Sequence, residues 1–562
     1  MNHIQNAMKQ AADIILAAYN TAVEKGELPQ AEVKAPVIEI PMDLAHGDYA
    51  SNFALQNTKI VGKAPKMIAE AIANNAQLEG SYYDSITILG PGFINFRLGA
   101  KWFADVLTNI TEEGENYGKL VNDNPQKIMV EFVSANPTGP MHMGNARGGV
   151  LGDSLANVLA WAGNNVTKEF YVNDAGNQID KFANSINVRY MQILEGEEAH
   201  PLPEDAYHGE DIKVIAKELY DIHGDSLKDL DEKAKFDKYV EYGLGKNIPK
   251  MKADLARYGI NYDVWFFESQ LHNTGYVKET VDMLTANGHT YVQDGAVWLR
   301  STAFGCEKDD VLMRGNGFYT YFAADIAYHR EKFANRNFDK VINIWGADHH
   351  GHVARLKYAL DALGLDGSNR LEIVLMQLVR LMRDGEVVRM SKRTGKSITL
   401  TDLLDEVSCD AARYFFNSRA ADTHLEFDLG LAVRQDSENP VYYCQYAHAR
   451  ICSILANLER EGIAVNANPD LSLLTSKEEL DLIREVAKLP EEIRLAAADR
   501  EPARLNRYAI NVASAFHKFY GVSRIKDAQP EVRDARVYAI KCAAAVIKNT
   551  LSILGVTAPE QM

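Results

Sequence analysis

At 562 residues, with 46% hydrophobic and 24% charged residues, the chain has the length and composition of a water-soluble protein of three or four domains. The N-terminal residues lack a basic, apolar and small-residue succession, no stretch approaches the ~18 unbroken apolar residues of a membrane span, and five cysteines without a C-x-x-C pair fit neither a disulfide framework nor a zinc site, so a cytoplasmic protein without zinc is expected. The net charge of -17 argues against indiscriminate binding to nucleic acid or anionic lipid, yet it lies entirely upstream of Glu438, and from Arg494 onward eleven Lys and Arg face six Asp and Glu.

Residues 2 to 24 carry apolar positions at helical spacing. VIEIP follows as a strand, then a turn at HGD, helices through SNFALQNTKIVG and PKMIAEAIANN, and the strand-turn-strand ITILGPGFINFRL. These elements predict an α+β domain over residues 1–118. IMVEFVSA opens the next block as the continuous apolar strand of a buried parallel sheet. A helix over NARGGVLGDSLANVLAWAG comes next, with Val150, Leu151, Leu155, Val158 and Leu159 at helical spacing and Gly163 as its stop, and then the strand TKEFYVND. Strand, helix, strand is a βαβ unit, so an α/β domain of Rossmann type with a parallel sheet is predicted over 119–435. Residues 188–262 are charged and helical and read as an insertion into it. VWFFES, AVWLR, YTYFAADIAYH and KVINIWGADHH resume strand-like runs, and IVLMQLVRLM leads to the end of the domain. Over 436–562 apolar residues recur at three and four, the pattern of an all-α helical bundle.

Two segments carry chemistry. In VEFVSANPTGPMHMGNARGGVLGD, residues 130–153, Pro137, Gly139, Pro140 and Gly144 force a tight turn that lets backbone approach a ligand. The following helix aims its N–H groups and positive dipole end at that turn, which makes an anion site. His142 stands just before the helix, where an imidazole can donate to a phosphate; a structural histidine in a glycine turn is the plainer alternative. Far downstream, VVRMSKRTGKSITL sets Arg389, Lys392, Arg393 and Lys396 around a glycine ahead of the capped helix start TDLLDEV. A solvated basic loop is the alternative there.

HMGN followed by RMSK resembles the paired HIGH and KMSKS signatures of class I aminoacyl-tRNA synthetases. SANPTGPMHMGNARGG, YVNDAGNQI, YHGED, WGADHHGHVARL, RDGEVVRMSKRTG, DAARYFF, ADTHLEFDL and NPVYYCQYAHARI extend the resemblance to the arginyl-tRNA synthetase family. GDYASNFAL and GPGFINFRL resemble that family's N-terminal domain, and FHKFYGVSRI with LGVTAPEQM the end of its anticodon-binding domain, so the match covers nearly the whole chain. Two positions depart from the signatures: Asn145 stands where histidine is usual, and Arg389 replaces the first lysine.

The resemblance implies an enzyme that activates L-arginine with ATP and transfers it to the terminal adenosine of tRNA(Arg), with Mg2+ carried by ATP, no membrane partner, and a monomeric chain. It also implies that activation depends on the tRNA. His142 and Lys392 are the expected catalytic residues, and Gly139, His142, Gly144, Asn145, Met390, Ser391 and Lys392 the expected ATP site, with backbone amides near Gly144 contributing. A guanidinium is best satisfied by carboxylates and oriented acceptors, and the resemblance assigns this pocket to Glu131, Asn136, Tyr321 and Asp325, with Asp348 and His349 nearby. Taken one by one, Asp325 can equally cap a helix, Glu131 sit in a structural ion pair, and Tyr321 belong to the core. For tRNA, the resemblance points to Phe93 and Asn95 in the N-terminal domain. In the C-terminal domain Tyr443, Tyr446 and Arg450, beside Tyr442, can stack anticodon bases, and a packed helix with a stray arginine is the equal alternative. Two rival readings are a nucleotidyltransferase acting on a small acid and a non-catalytic tRNA-binding paralogue; the flanking domains disfavour the first, and the presence of His142 and Lys392 the second.

Overall fold

The computed structural model describes residues 2–388 and 398–562. Near the N-terminus, β1 (Ile38–Glu39), β2 (Tyr49–Ser51), β3 (Tyr83–Leu89) and β4 (Phe93–Leu98) form an antiparallel sheet of order β1-β2-β4-β3. Helices His3–Glu24, Phe53–Val61 and Pro65–Asn75 pack on it. The GPG turn between β3 and β4 needs its glycines: Gly92 has φ +133, and a Cβ there would lie 2.8 Å from the Pro65 backbone.

The central sheet is parallel throughout. It begins with β5 (Lys127–Glu131), β6 (Asn165–Val172) and β7 (Val264–Phe267). The chain then leaves it for a small antiparallel sheet, β8 (Thr290–Gln293), β9 (Ala296–Leu299) and β10 (Asp310–Met313). It returns with β11 (Lys340–Gly346) and β12 (Leu371–Met376), giving the order β12-β11-β5-β6-β7. β5 can lie at the centre because Ile128, Met129 and Val130 are all buried. The first three strands build outward from one side of β5 and the last two from the other. The order therefore reverses between β5 and β11, and the carboxyl ends of those two strands flank the crevice where such sheets bind ligands.

Three helices, Asn177–Glu195, Glu210–His223 and Glu232–Arg257, stand between β6 and β7 around a core that includes Phe182, Ile186, Tyr190, Ile215, Leu219 and Tyr239. Elsewhere in this domain the structure corrects one of the strand-like runs. YTYFAADIAYH forms the helix Tyr321–Arg330, started by Thr320, whose side chain accepts from the Ala323 N–H. Every residue from Phe322 to Arg330 except Asp325 is buried, so no polar face betrays the helical period. AVWLR belongs to the antiparallel sheet rather than the parallel one. IVLMQLVRLM divides between β12 and β13 (Val379–Arg383), and β13 pairs with β14 (Glu386–Val387) and β15 (Leu425–Asp428).

The C-terminal region is helical, with Pro440–Arg460, Ala503–Val522 and Pro530–Ile553 as its longest members. It packs on both other regions. Asn549 donates to Gly114 O (2.9 Å) and Tyr117 O (3.1 Å) on the N-terminal side. Toward the central sheet, Arg413 is fully buried and donates to Tyr258 O (3.1 Å), Leu554 O (3.0 Å) and the Asp153 carboxylate. Such a cation is tolerable in the interior only because its hydrogen bonds are met. Among the described residues, no helix is long and apolar enough to cross a membrane.

Candidate active site

The crevice is shaped first by backbone. Immediately after β5, Val133 (φ +70) and Ser134 (φ +44) take left-handed conformations. A β-branched residue there is a genuine outlier that costs about 1–3 kcal/mol. The turn it makes lets Ser134 Oγ donate to Glu131 Oε1 (2.9 Å) while accepting the Tyr171 N–H (3.2 Å). Further on, the Pro137 carbonyl accepts from Asn247 of the inserted helices (2.8 Å). The helix Gly144–Trp161 then passes so close to the strand end that a Cβ on Gly152 would lie 2.1 Å from Phe132 Cγ. That contact explains the glycine at position 152.

His142 sits exposed at the mouth of this turn. Its Nδ1 accepts the Gly144 N–H (3.0 Å), so a neutral ring carries its proton on Nε2 and offers a donor outward. Asn145 turns inward, its Oδ1 accepting the His142 N–H (3.2 Å). The Asn145 and Ala146 amides bond to His142 O and Met143 O, both at 2.9 Å. This corrects the expectation of free amides near Gly144: the amides of residues 144 to 146 are used within the turn, which leaves the His142 ring and the helix dipole facing outward. Gly139 is half-buried beside Asp211.

The segment after the basic loop is bonded directly to this turn. Met143 donates to Ile398 O (2.9 Å), Leu400 donates to Met141 O (3.0 Å), and His142 bridges Thr399. Met390, Ser391 and Lys392, with Arg389, Arg393 and Lys396, lie outside the described residues.

On the other side of the crevice lies a cluster of charge. Glu131, 6% exposed at the end of β5, accepts from the fully buried Lys332 through Oε2 (2.6 Å). Asp325 accepts from His352 Nε2 (2.5 Å), His352 Nδ1 accepts from Arg355 Nε (2.7 Å), and Arg355 pairs with Asp310 (2.9 Å). The Arg355 bond fixes His352 as the neutral tautomer that donates to Asp325. Burial pushes Asp325 up, but the hydrogen bond from His352 and the charge of Lys332 outweigh it and hold the carboxyl below its usual range. His329 is buried, donating to Asp325 O (2.8 Å) and meeting Asn343 Nδ2 (2.8 Å). Burial, then the charge of Lys332, drives its pKa down to about 3, so it stays neutral.

Tyr321 is 63% exposed at the start of its helix. Desolvation of its hydroxyl, then the carboxylates of Asp325, Glu268 and Glu131, raises the phenol above its ordinary value. The structure thus brings Glu131, Tyr321 and Asp325 into one neighbourhood and adds Glu268, buried at the end of β7, which the sequence reading missed. Asn136 is exposed on the turn. Asp348 and His349 are exposed just beyond β11, 3.7 Å apart, and the contact to Asp325 comes from His352 one turn later. Lys332, His329 and Asn343 were missed as well; only the buried apolar setting of helix Tyr321–Arg330 could have flagged the first two.

Of the residues expected to meet RNA, Phe93 is 40% exposed, whereas Asn95 is buried with its amide directed to Thr87 O and Phe93 O. Tyr443, Tyr446 and Arg450 join a half-open cluster. Tyr446 stacks on Tyr442 (6.1 Å, 8°), His517 lies 4.9 Å from Tyr443, and Arg450 sits over Tyr520 at 4.5 Å.

A parallel sheet whose order reverses at β5 and β11, with HMGN seated at the reversal and bonded to the residues that follow RMSK, is the arrangement of a class I aminoacyl-tRNA synthetase. Comparison with known proteins narrows that class. Residues 106–428 match the model of the class I (R) tRNA synthetase catalytic domain, 2–98 that of the arginyl-tRNA synthetase N-terminal domain, and 444–562 that of the DALR anticodon-binding domain. The chain is 51% identical over 565 residues to the arginine–tRNA ligase of Ruminiclostridium cellulolyticum and 52% identical over 563 residues to that of Caldanaerobacter subterraneus subsp. tengcongensis, with 100% of both chains covered in each case. A solved chain from Campylobacter jejuni assigned as an arginyl-tRNA synthetase superposes with a TM-score of 0.75 at 34% identity, over 83% of this chain and 100% of that one. The chain belongs to the arginyl-tRNA synthetase family.

Proposed function

We propose that the protein ligates L-arginine to tRNA(Arg) in the cytoplasm, as a monomer. The observation that carries this reading is the carboxylate recess of Glu131, Glu268 and Asp325 around Tyr321, set at the same strand ends as the HMGN turn. A permanently charged, planar guanidinium fits such a recess, and a neutral amino-acid side chain would leave its negative charge unbalanced. Asp325 and Glu268 accept from the guanidinium, Tyr321 lines and hydrogen-bonds it, Glu131 receives the α-ammonium group, and Asn136 orients the α-carboxylate. Asp348 and His349 stand where the nucleotide ribose or the amino acid passes.

In the first step the arginine carboxylate attacks the α-phosphorus of ATP and pyrophosphate leaves; in the second a hydroxyl of the terminal adenosine attacks the arginyl carbonyl carbon and AMP leaves. No covalent enzyme intermediate is required, so the residues position reactants and stabilise charge. Mg2+ enters with ATP as part of that substrate. His142 donates through Nε2 to the phosphates, Lys392 supplies positive charge to the departing pyrophosphate, and Gly139, Gly144, Asn145, Met390 and Ser391 shape the nucleotide site. Residues 1–118, with Phe93 at the surface, hold the body of the tRNA. Residues 119–435 carry the chemistry, and 436–562 read the anticodon with Tyr443, Tyr446 and Arg450. The test is arginine-dependent exchange of labelled pyrophosphate into ATP, with and without cognate tRNA, using lysine as control. Exchange with arginine in the presence of tRNA is expected; folded protein that exchanges under neither condition overturns the reading.

A further inference from the structure

Lys332 has no part in the roles above, yet it is fully buried beneath the amino-acid recess. It sits in the π-helical turn Glu331–Asn335 that continues helix Tyr321–Arg330, so Asp325, His329 and Lys332 share one helical face toward β5 and β11. Such wide turns recur at functional sites. Its ammonium donates to Glu131 Oε2 (2.6 Å), reaches Asn343 Oδ1 (3.5 Å) and lies 4.0 Å from the Tyr328 ring.

The charges in the recess can be counted. Glu131, Glu268 and Asp325 are the carboxylates acting on Tyr321; His329 and His352 are neutral, Arg355 is matched by Asp310, and the exposed His272 contacts Glu268 at 3.2 Å from outside the recess. Resting on the arginine pocket proposed above, we infer that Lys332 is a positioning residue that sets specificity: by neutralising one of the three carboxylates, it leaves the recess two net negative charges for the two cationic groups of arginine. It also fixes Glu131 through one oxygen, while Ser134 holds the other. Besides Lys332 and Ser134, Glu131 has Asn343 and Glu169 beside it on the two neighbouring strands, the charge of Glu169 being matched by Arg336 (2.6 Å), and the phenols of Tyr262, Tyr321 and Tyr328 near it.

Without the ammonium, a buried Glu131 favours its protonated form. In K332M, arginine binding should therefore weaken as pH falls and recover as pH rises. The experiment measures aminoacylation between about pH 6 and pH 9, with KM for arginine and for ATP determined separately and divided by the wild-type values at each pH. Expected for K332M is an arginine KM ratio that climbs by up to about tenfold per pH unit on the acid side, with the ATP KM within about twofold. The double variant E131Q/K332M, which removes both charges, should show a raised but pH-independent ratio. If K332M does not fold, E131Q takes its place: it leaves Lys332 as an unmatched cation, so its arginine KM should likewise fall as pH rises, against the flat double variant. Ratios that are flat in the single variants, or arginine and ATP KM values that move together, overturn the inference. Wild-type protein that charges no arginine would instead overturn the pocket itself.

Discussion

Glu131 and His142 lie on one strand-turn-helix unit, yet their surroundings differ in kind. The carboxylate is 6% exposed and held by Lys332 and Ser134, whereas the imidazole is exposed and held by one amide of its own turn. On the Glu131 side, Asp325, His352, Arg355 and Asp310 extend a chain of bonds that fixes each group before any ligand arrives. On the His142 side, the turn saturates its own amides and leaves an outward donor. A side chain must be told from other side chains, which calls for desolvated charges at fixed places. Every ATP is alike, so the nucleotide side needs only donors that meet the charge developing on the phosphates. On the roles proposed above, the crevice separates recognition, built into the core, from phosphate chemistry, built at its mouth.

The largest expected effect breaks the recognition side alone. Asp325→Ala removes a carboxylate and leaves His352 with a donor unmet, so arginine KM should rise several hundredfold, about 3–4 kcal/mol, while ATP KM changes by less than about threefold. Equal losses in both would erase the contrast between the two sides. The wild-type arginine KM should also stay flat as pH falls toward about 5, since His352 and its neighbours keep Asp325 ionised below the usual carboxylate range. A smaller effect tests the opposite side. His142→Ala should lower kcat by about tenfold to a hundredfold with arginine KM nearly unchanged. Steady-state kinetics that instead show a matching rise in arginine KM would place His142 on the recognition side.

The two sides were not equally legible in the sequence. The nucleotide side is local: Pro137, Gly139, Gly144 and His142 are contiguous, and their turn chemistry can be read without knowing the fold. The recognition side is assembled by topology. Lys332 reaches Glu131 across two hundred and one positions, and Asn343 stands beside Glu131 because β11 pairs with β5, neither of which any spacing reveals. Glu131 illustrates the limit. Its ion pair was foreseen as a plain structural alternative to substrate binding, and the pair exists at the edge of the recess itself. Helix Tyr321–Arg330 was misread because burial of nearly its whole surface hides the helical period, and the Thr320 cap is a weak signal inside an apolar run.

The smallest effect concerns the joint between the two signature segments. Thr399 starts the helix Leu400–Glu406 with a reciprocal cap: its Oγ1 accepts the Asp402 N–H (3.1 Å), and its own N–H donates to Asp402 Oδ2 (3.1 Å). Residues on either side bond to Met143 and Met141, so the cap fixes the frame on which the turn of His142 and the end of the basic segment meet. Thr399→Ala removes one half of that cap and keeps the backbone bonds. It should cost about 1 kcal/mol in chemical denaturation and about twofold to fivefold in kcat, with arginine KM unmoved, while Thr399→Ser should restore both because its hydroxyl can accept the same N–H. A loss of kcat that serine fails to restore would mean that the threonine methyl, not the cap, orders the joint. A shift in arginine KM would mean that the two sides of the crevice are coupled through it, and that the division drawn from Glu131 and His142 is too sharp.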